Sequence, residues 1–96
     1  MQSIMQSEKE CYMCGSQRAL EKHHVFGGPN RKLSEKYGLT VWLCHWCHNE
    51  PPNGVHHNAK TMKMLRWQGQ LAAMSKYGWT EDDFRKVFGR SYKEDK

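Results

Sequence analysis

The residues able to do chemistry in this chain are its four cysteines and six histidines, all lying between positions 11 and 57. Cys11-x2-Cys14 and Cys44-x2-Cys47 form two knuckles with residues 15–43 between them. Tetrahedral zinc takes four ligands, each sulfur about 2.3 Å away, and a two-residue gap lets one tight turn aim both thiolates inward. Gly15, just after the first knuckle, suits such a turn. The two pairs predict one structural Zn2+ held by Cys11, Cys14, Cys44 and Cys47, with disulfides or free thiols as the competing readings. Four thiolates close the coordination shell and leave no open position for catalysis. Metal binding then supplies folding free energy, which a chain of 96 residues needs because its core is small.

The histidines stand at 23, 24, 45, 48, 56 and 57, as HH, CHWCH and VHH. Two readings compete for them: a second metal site with an open coordination position, or a set of imidazoles that contact phosphate. His23 and His24 sit on a predicted strand, where neighbours point to opposite faces and cannot both ligate one ion. One can reach a metal while the other is aimed at a water. That is a ligand beside a general base, and imidazole has a suitable pKa without tuning. His48 follows Cys47, so a metal-anchored turn would present it rigidly.

These side chains need elements to carry them. Extended segments are expected at Leu20 to Phe26, ended by the turn Gly27-Gly28-Pro29-Asn30, and at Leu39 to Leu43, running into Cys44. RKLSEKYG between them reads as a loop or a single helical turn. A long helix is expected from about His56, after an Asn53-Gly54 turn, to Tyr77. Met64, Trp67, Leu71 and Met74, with Leu65 and Ala72 alongside, form its apolar stripe. Lys60, Lys63 and Arg66 lie off the stripe, as a solvated face or a phosphate-facing one. A short last helix is capped by Thr80, carries Glu81, Asp82 and Asp83 in its first turn, and ends at Gly89. Trp79 and Phe84 occupy the positions of a hydrophobic staple. The whole is one domain over 1–96: a frayed segment 1–10, a Cys/His-rich core 11–58 and a helical part 59–96.

Composition excludes other classes. No apolar run is long enough to span a membrane, and the N-terminal MQSIMQSEKE lacks a signal-peptide core. A reducing cytoplasm is therefore expected, where metal ligation is favoured over disulfides. Fifteen Lys and Arg against ten Asp and Glu give a net charge of +5, which suits a polyanionic partner.

Glu21-Lys22-His23-His24-Val25-Phe26-Gly27-Gly28, followed by Leu43-Cys44-His45-Trp46-Cys47-His48, resembles an HNH endonuclease of the ββα-metal (His-Me) finger class. The stretches HHVFGGPNRKLSEKYGL and LCHWCHNEPPNGVHHN, with the later FGRSY, resemble small HNH proteins of phages and prophages; the likeness covers roughly 11–92. It implies a small α+β fold, a ββα-metal finger stapled by the four-Cys zinc site, followed by the long helix and the short C-terminal helix. It implies a phosphodiester hydrolase that nicks or cleaves DNA, with His24 as general base. It also implies a catalytic divalent cation (Mg2+, Mn2+, Ni2+ or Zn2+) held by His23 and His48. His56 is a candidate third ligand, and His45 and His57 would face solvent or DNA. Arg31, Lys32 and Lys36, with Lys60 and Lys63, would line the DNA groove. DNA is the expected partner, other phage DNA-processing proteins are further candidates, and the expected location is the bacterial host cytoplasm. Oligomeric state is left open.

The pattern departs from the family at two places. The family's middle Asn, which helps orient the base, is replaced by Leu39, so a backbone carbonyl or another side chain must take that role, with Asn30 as a weak substitute. Pro51-Pro52 interrupts the helix that often begins at the last His. The missing Asn favours an alternative, a catalytically inactive, zinc-stapled nucleic-acid-binding module, which the intact His23-His24 pair opposes. A protein-interaction zinc ribbon would leave the histidines unexplained.

Overall fold

The computed structural model describes residues 2–52 and 54–93. Its elements are β1 (Leu20–His24), a 3-10 turn (Gly28–Asn30), α1 (Arg31–Tyr37), β2 (Thr40–Cys44), α2 (His45–His48), a second 3-10 turn (Val55–His57), α3 (Ala59–Tyr77) and α4 (Glu81–Phe88). This is a small α+β fold built on one two-stranded antiparallel sheet. Its register sets Leu20 opposite Cys44, His23 opposite Val41 and His24 opposite Thr40. Among the described residues, no helix is long and apolar enough to cross a membrane. Asn53 of the expected turn, and the last three positions of the expected helical part, lie outside the described residues.

The strands are shorter or shifted relative to expectation, because Val25 and Phe26 leave the sheet to enter the core. Phe26 packs on Phe84, Phe88 and Tyr92, with ring centroids 5.6, 4.8 and 4.9 Å away. RKLSEKYG forms the seven-residue helix α1 instead of a loop or single turn. Two contacts hold that helix. The buried Ser34 hydroxyl donates to Phe26 O at 2.7 Å and accepts from Phe26 N at 3.0 Å. At its end Gly38 adopts φ +73°, and a Cβ there would lie 2.5 Å from the Gln2 carbonyl oxygen. Only glycine fits both the backbone and that crossing.

The same crossing joins the segment 2–10 to the fold. Ile4 N donates to Gly38 O at 2.8 Å, and Ile4 and Met5 pack on the core. Trp42 N donates to Gln6 Oε1 at 2.9 Å, and Tyr12 N donates to Trp42 O at 2.8 Å. The N-terminal segment thus covers polar groups on the open edge of β2, which would otherwise be left unpaired.

The long helix begins at Ala59, not His56, because Asn58 caps it by accepting from Thr61 N at 3.1 Å. Its buried face overlaps the predicted stripe at Leu65 and at Met74, which packs on the core, but is rotated away from the rest of it. Leu65, Gly69, Gln70 and Ala73 are buried, while Met64 and Leu71 are exposed. A Cβ on Gly69 would lie 2.9 Å from Val25 Cγ1 and 3.1 Å from Phe26 Cε2, so this face seats directly on the chain after β1. Gln70 is fully buried but satisfied: its amide donates to Ser91 Oγ at 3.0 Å and its oxygen accepts from Tyr92 N. That pair of bonds anchors the FGRSY segment. At α4, Thr80 and Asp83 cap each other reciprocally and Gly89 closes the helix at φ +88°, matching the expectation for this element.

Candidate metal centres and the histidine pair

The two knuckles meet as their spacing requires. Gly15 N donates to Cys11 O at 2.8 Å and Cys11 N to Ser16 O at 2.7 Å, which folds the first knuckle. The second knuckle is the junction of β2 with α2, and it lies beside the first. All four sulfurs lie within 4.8 Å of one another, and Cys14 Sγ is 3.7 Å from Cys44 Sγ. Sulfurs about 2.3 Å from one tetrahedral ion stand about 3.8 Å apart. None of the four is in a disulfide. Although burial acts to raise it, the Cys11 thiol is held down to about 6 by backbone donors at Cys44, Cys14 and Met13. Burial and the three neighbouring sulfurs push Cys47 far up. Four thiolates at this distance would need a cation between them. The set fits a structural metal ion.

A second cluster is built from three elements. His23 comes from β1, His48 from the end of α2, directly after Cys47, and His56 from the 3-10 turn before α3. The Nε2 of His48 lies 3.3 Å from His23 Nδ1 and 3.0 Å from His56 Nε2. Nitrogens about 2.1 Å from a shared ion stand about 3.0 Å apart at a right angle and about 3.4 Å apart in a tetrahedron. His48 Nδ1 is 2.8 Å from Glu21 Oε1, and Asn49 Nδ2 donates to that same oxygen at 2.8 Å. A Nδ1–H donated to the carboxylate leaves the Nε2 lone pair facing the other two rings, as in carboxylate–histidine–metal chains. His23 is 3% exposed, and its Nε2 has no hydrogen-bond partner among the described residues. Burial first, then the charges of His48 and His56, lowers its pKa to about 3, so the ring stays a neutral ligand. His56 is lowered by burial, then by His48, His57 and Arg66.

His24 takes the opposite face of β1, as strand alternation demands. Its Nε2 lies 2.7 Å from Glu35 Oε2, and the other oxygen of Glu35 accepts from Lys22 Nζ at 2.8 Å. Lys22 foremost, then His24, lowers the Glu35 pKa to about 2. No family model, no curated protein and no solved structure matches the chain.

Other predicted positions fall as follows. Arg31, Lys32 and Lys36 are exposed on α1, the helix that meets His24, while Lys60 and Lys63 are exposed at the start of α3, just after His56. Arg66, one turn further on, bears electrostatically on both His23 and His56. His57 is exposed, as expected. His45 lies 2.7 Å from Glu50 and 3.4 Å from Glu21, and these carboxylates, Glu50 first, raise its pKa. Asn30 does not substitute for the missing Asn, because its amide donates to Phe88 O at 3.1 Å on α4. Leu39 is fully buried and has no polar side chain to offer. The sequence reading missed Glu21 and Glu35. Glu21 carried one usable signal, since it stands two residues before His23 and so on the same strand face; Glu35 carried none.

Proposed function

We propose that the chain is a metal-dependent HNH endonuclease of the ββα-metal class, hydrolysing DNA phosphodiester bonds. The observation that carries this reading is the convergence of one ring nitrogen each from His23, His48 and His56, with His24 beside them in sequence on the opposite strand face. The three imidazoles would hold one divalent ion (Mg2+, Mn2+, Ni2+ or Zn2+) and leave coordination positions open, whereas the four cysteines would hold Zn2+ in a closed shell. When bound at the histidines, such an ion supplies positive charge against the phosphate and the leaving oxygen. The protein does the rest. His24 takes the proton of the attacking water through Nδ1, its Nε2 being occupied by Glu35. The cationic Arg66 beside His23 and His56 favours an anionic ligand at that place. Arg31, Lys32, Lys36, Lys60 and Lys63 supply phosphate contacts that carry no sequence information.

The test is a supercoiled-plasmid assay with Mg2+, Mn2+ or Ni2+, or with EDTA. Wild type should nick only with an added ion, and His24→Ala should lose roughly 10²–10⁴ in rate while keeping its fold. The buried Leu39 at the family's Asn position favours a second reading, a zinc-stapled DNA-binding module without catalysis. Salt-sensitive plasmid binding with no cleavage under any ion would establish that reading instead.

A further inference from the structure

We infer that Glu35 is the positioning residue for His24, doing from α1 what the family's middle Asn does from before the second strand; this rests on the nuclease reading above. A base must keep one nitrogen free and aimed, so its other nitrogen needs a fixed acceptor. Glu35 Oε2 lies 2.7 Å from His24 Nε2, which puts the proton there and leaves Nδ1 for the water. The carboxylate is itself held in place. Lys22, on the same face of β1 as His24, grips its other oxygen at 2.8 Å.

The helix carrying Glu35 cannot slide. Its neighbour Ser34 is bonded to both the N–H and the carbonyl of Phe26, two residues beyond His24. Strand, loop and helix are thus joined at two places, His24 to Glu35 and Phe26 to Ser34. Neither alternative orienter is available, since Asn30 is engaged at Phe88 and Leu39 has no polar group.

The experiment pairs plasmid cleavage with side-chain NMR of His24 in wild type, Glu35→Ala, Glu35→Gln, His24→Ala and the His24→Ala/Glu35→Ala double variant. Glu35→Ala should lower kcat roughly 10–100-fold, the usual worth of a supporting hydrogen bond at such a site, with KM and metal requirement unchanged. Glu35→Gln should recover most of the loss, because its amide oxygen can still accept from Nε2–H. The double variant should be no slower than His24→Ala alone. In the NMR spectrum of the wild type, His24 should carry its proton on Nε2, protected from exchange, and that protection should vanish in Glu35→Ala. Full activity of Glu35→Ala, an equal further loss from Glu35→Ala in the His24→Ala background, or a His24 proton found on Nδ1 would each overturn the assignment. A wild-type protein that fails to cleave under any added ion would overturn the nuclease reading itself, an outcome distinct from a cleaving wild type indifferent to Glu35.

Discussion

His23 should make a separable contribution to acid destabilisation of this protein when the histidine cluster is stripped of metal. His23 is buried, and its folded-state pKa is lowered to about 3 by that burial and by the adjacent rings. In the unfolded chain the same ring titrates near 6.5. Above about pH 6.5 both states are neutral and the contribution of His23 is whole. Between the two values the unfolded state binds a proton that the folded state refuses, so stability falls as the pH falls. Each unit of pH in that window costs about 1.4 kcal/mol, or about 2 kcal/mol from pH 6.5 to pH 5. Small domains hold only about 5–15 kcal/mol in total, so the effect is easily read.

Urea unfolding of EDTA-dialysed protein, from about pH 7.5 down to about pH 5, measures it, with His23→Gln as the comparison. Gln has similar bulk and does not titrate, so its stability should fall by about 2 kcal/mol less over the same range. Carboxylate protonation and proton competition at the four cysteines occur in both proteins and cancel in the difference. Loading the histidine cluster with Mn2+ or Zn2+ at neutral pH should raise wild-type stability by RT ln(1 + [L]/Kd) and His23→Gln by much less. Parallel pH curves for the two proteins would refute the account of His23 as a ring kept neutral by its surroundings.

Three other perturbations test separate parts of the structure. Metal-washed protein should retain about one tightly held zinc, and Cys47→Ser should unfold it because binding energy there is folding energy; a protease-resistant Cys47→Ser with native far-UV CD would contradict this. Gly69→Ala should lower the urea midpoint, since the close approach to Val25 and Phe26 costs about 1–3 kcal/mol against about 1 kcal/mol of helix propensity gained. An unchanged or raised midpoint would place the packing face of α3 elsewhere. Arg31→Ala and Lys32→Ala should each reduce the slope of log K against log salt by about 1, uniformly across DNA sequences; unchanged slopes would move the groove to the face of Lys60 and Lys63.

What the sequence made legible was local. The Cys-x2-Cys spacing fixes two turns, Thr80 through Asp83 and Gly89 fix both ends of α4, and alternation sends His23 and His24 to opposite faces whatever the tertiary context. The buried face of α3 was not legible for a physical reason. Leu65 belongs to the predicted stripe, but Met64, Trp67 and Leu71 satisfy helical spacing, and so do Gly69 and Ala73. The choice between them is made by how closely Val25 and Phe26 can approach, which depends on the absence of a side chain at Gly69. Periodicity counts apolar side chains and is blind to a missing one. The ordering of residues 2–10 escaped for a related reason: Gln6 is polar, and its task is to accept from Trp42 N at the edge of β2, which becomes visible only once the strand has an edge.

The candidate site divides along the same line. Ligand types and spacing named the four cysteines, while His23 and His48 came from the family resemblance, with His56 as a candidate third ligand; all are chemically uncommon residues. The carboxylates within reach of these rings are common surface residues. Glu21 and Glu35 differ from the other acidic residues only in what lies within hydrogen-bond reach: His48 at 2.8 Å for one and His24 at 2.7 Å for the other. Each histidine of the candidate machinery that has such a partner draws it from a different element, β1 supplying Glu21 to α2 and α1 supplying Glu35 to β1. Those two crossings tie the metal-knuckle side of the sheet to the helix side. On the nuclease reading, a carboxylate gripped by Lys22 on a helix that Ser34 ties to Phe26 would leave position 39 free for the core, where Leu39 is fully buried.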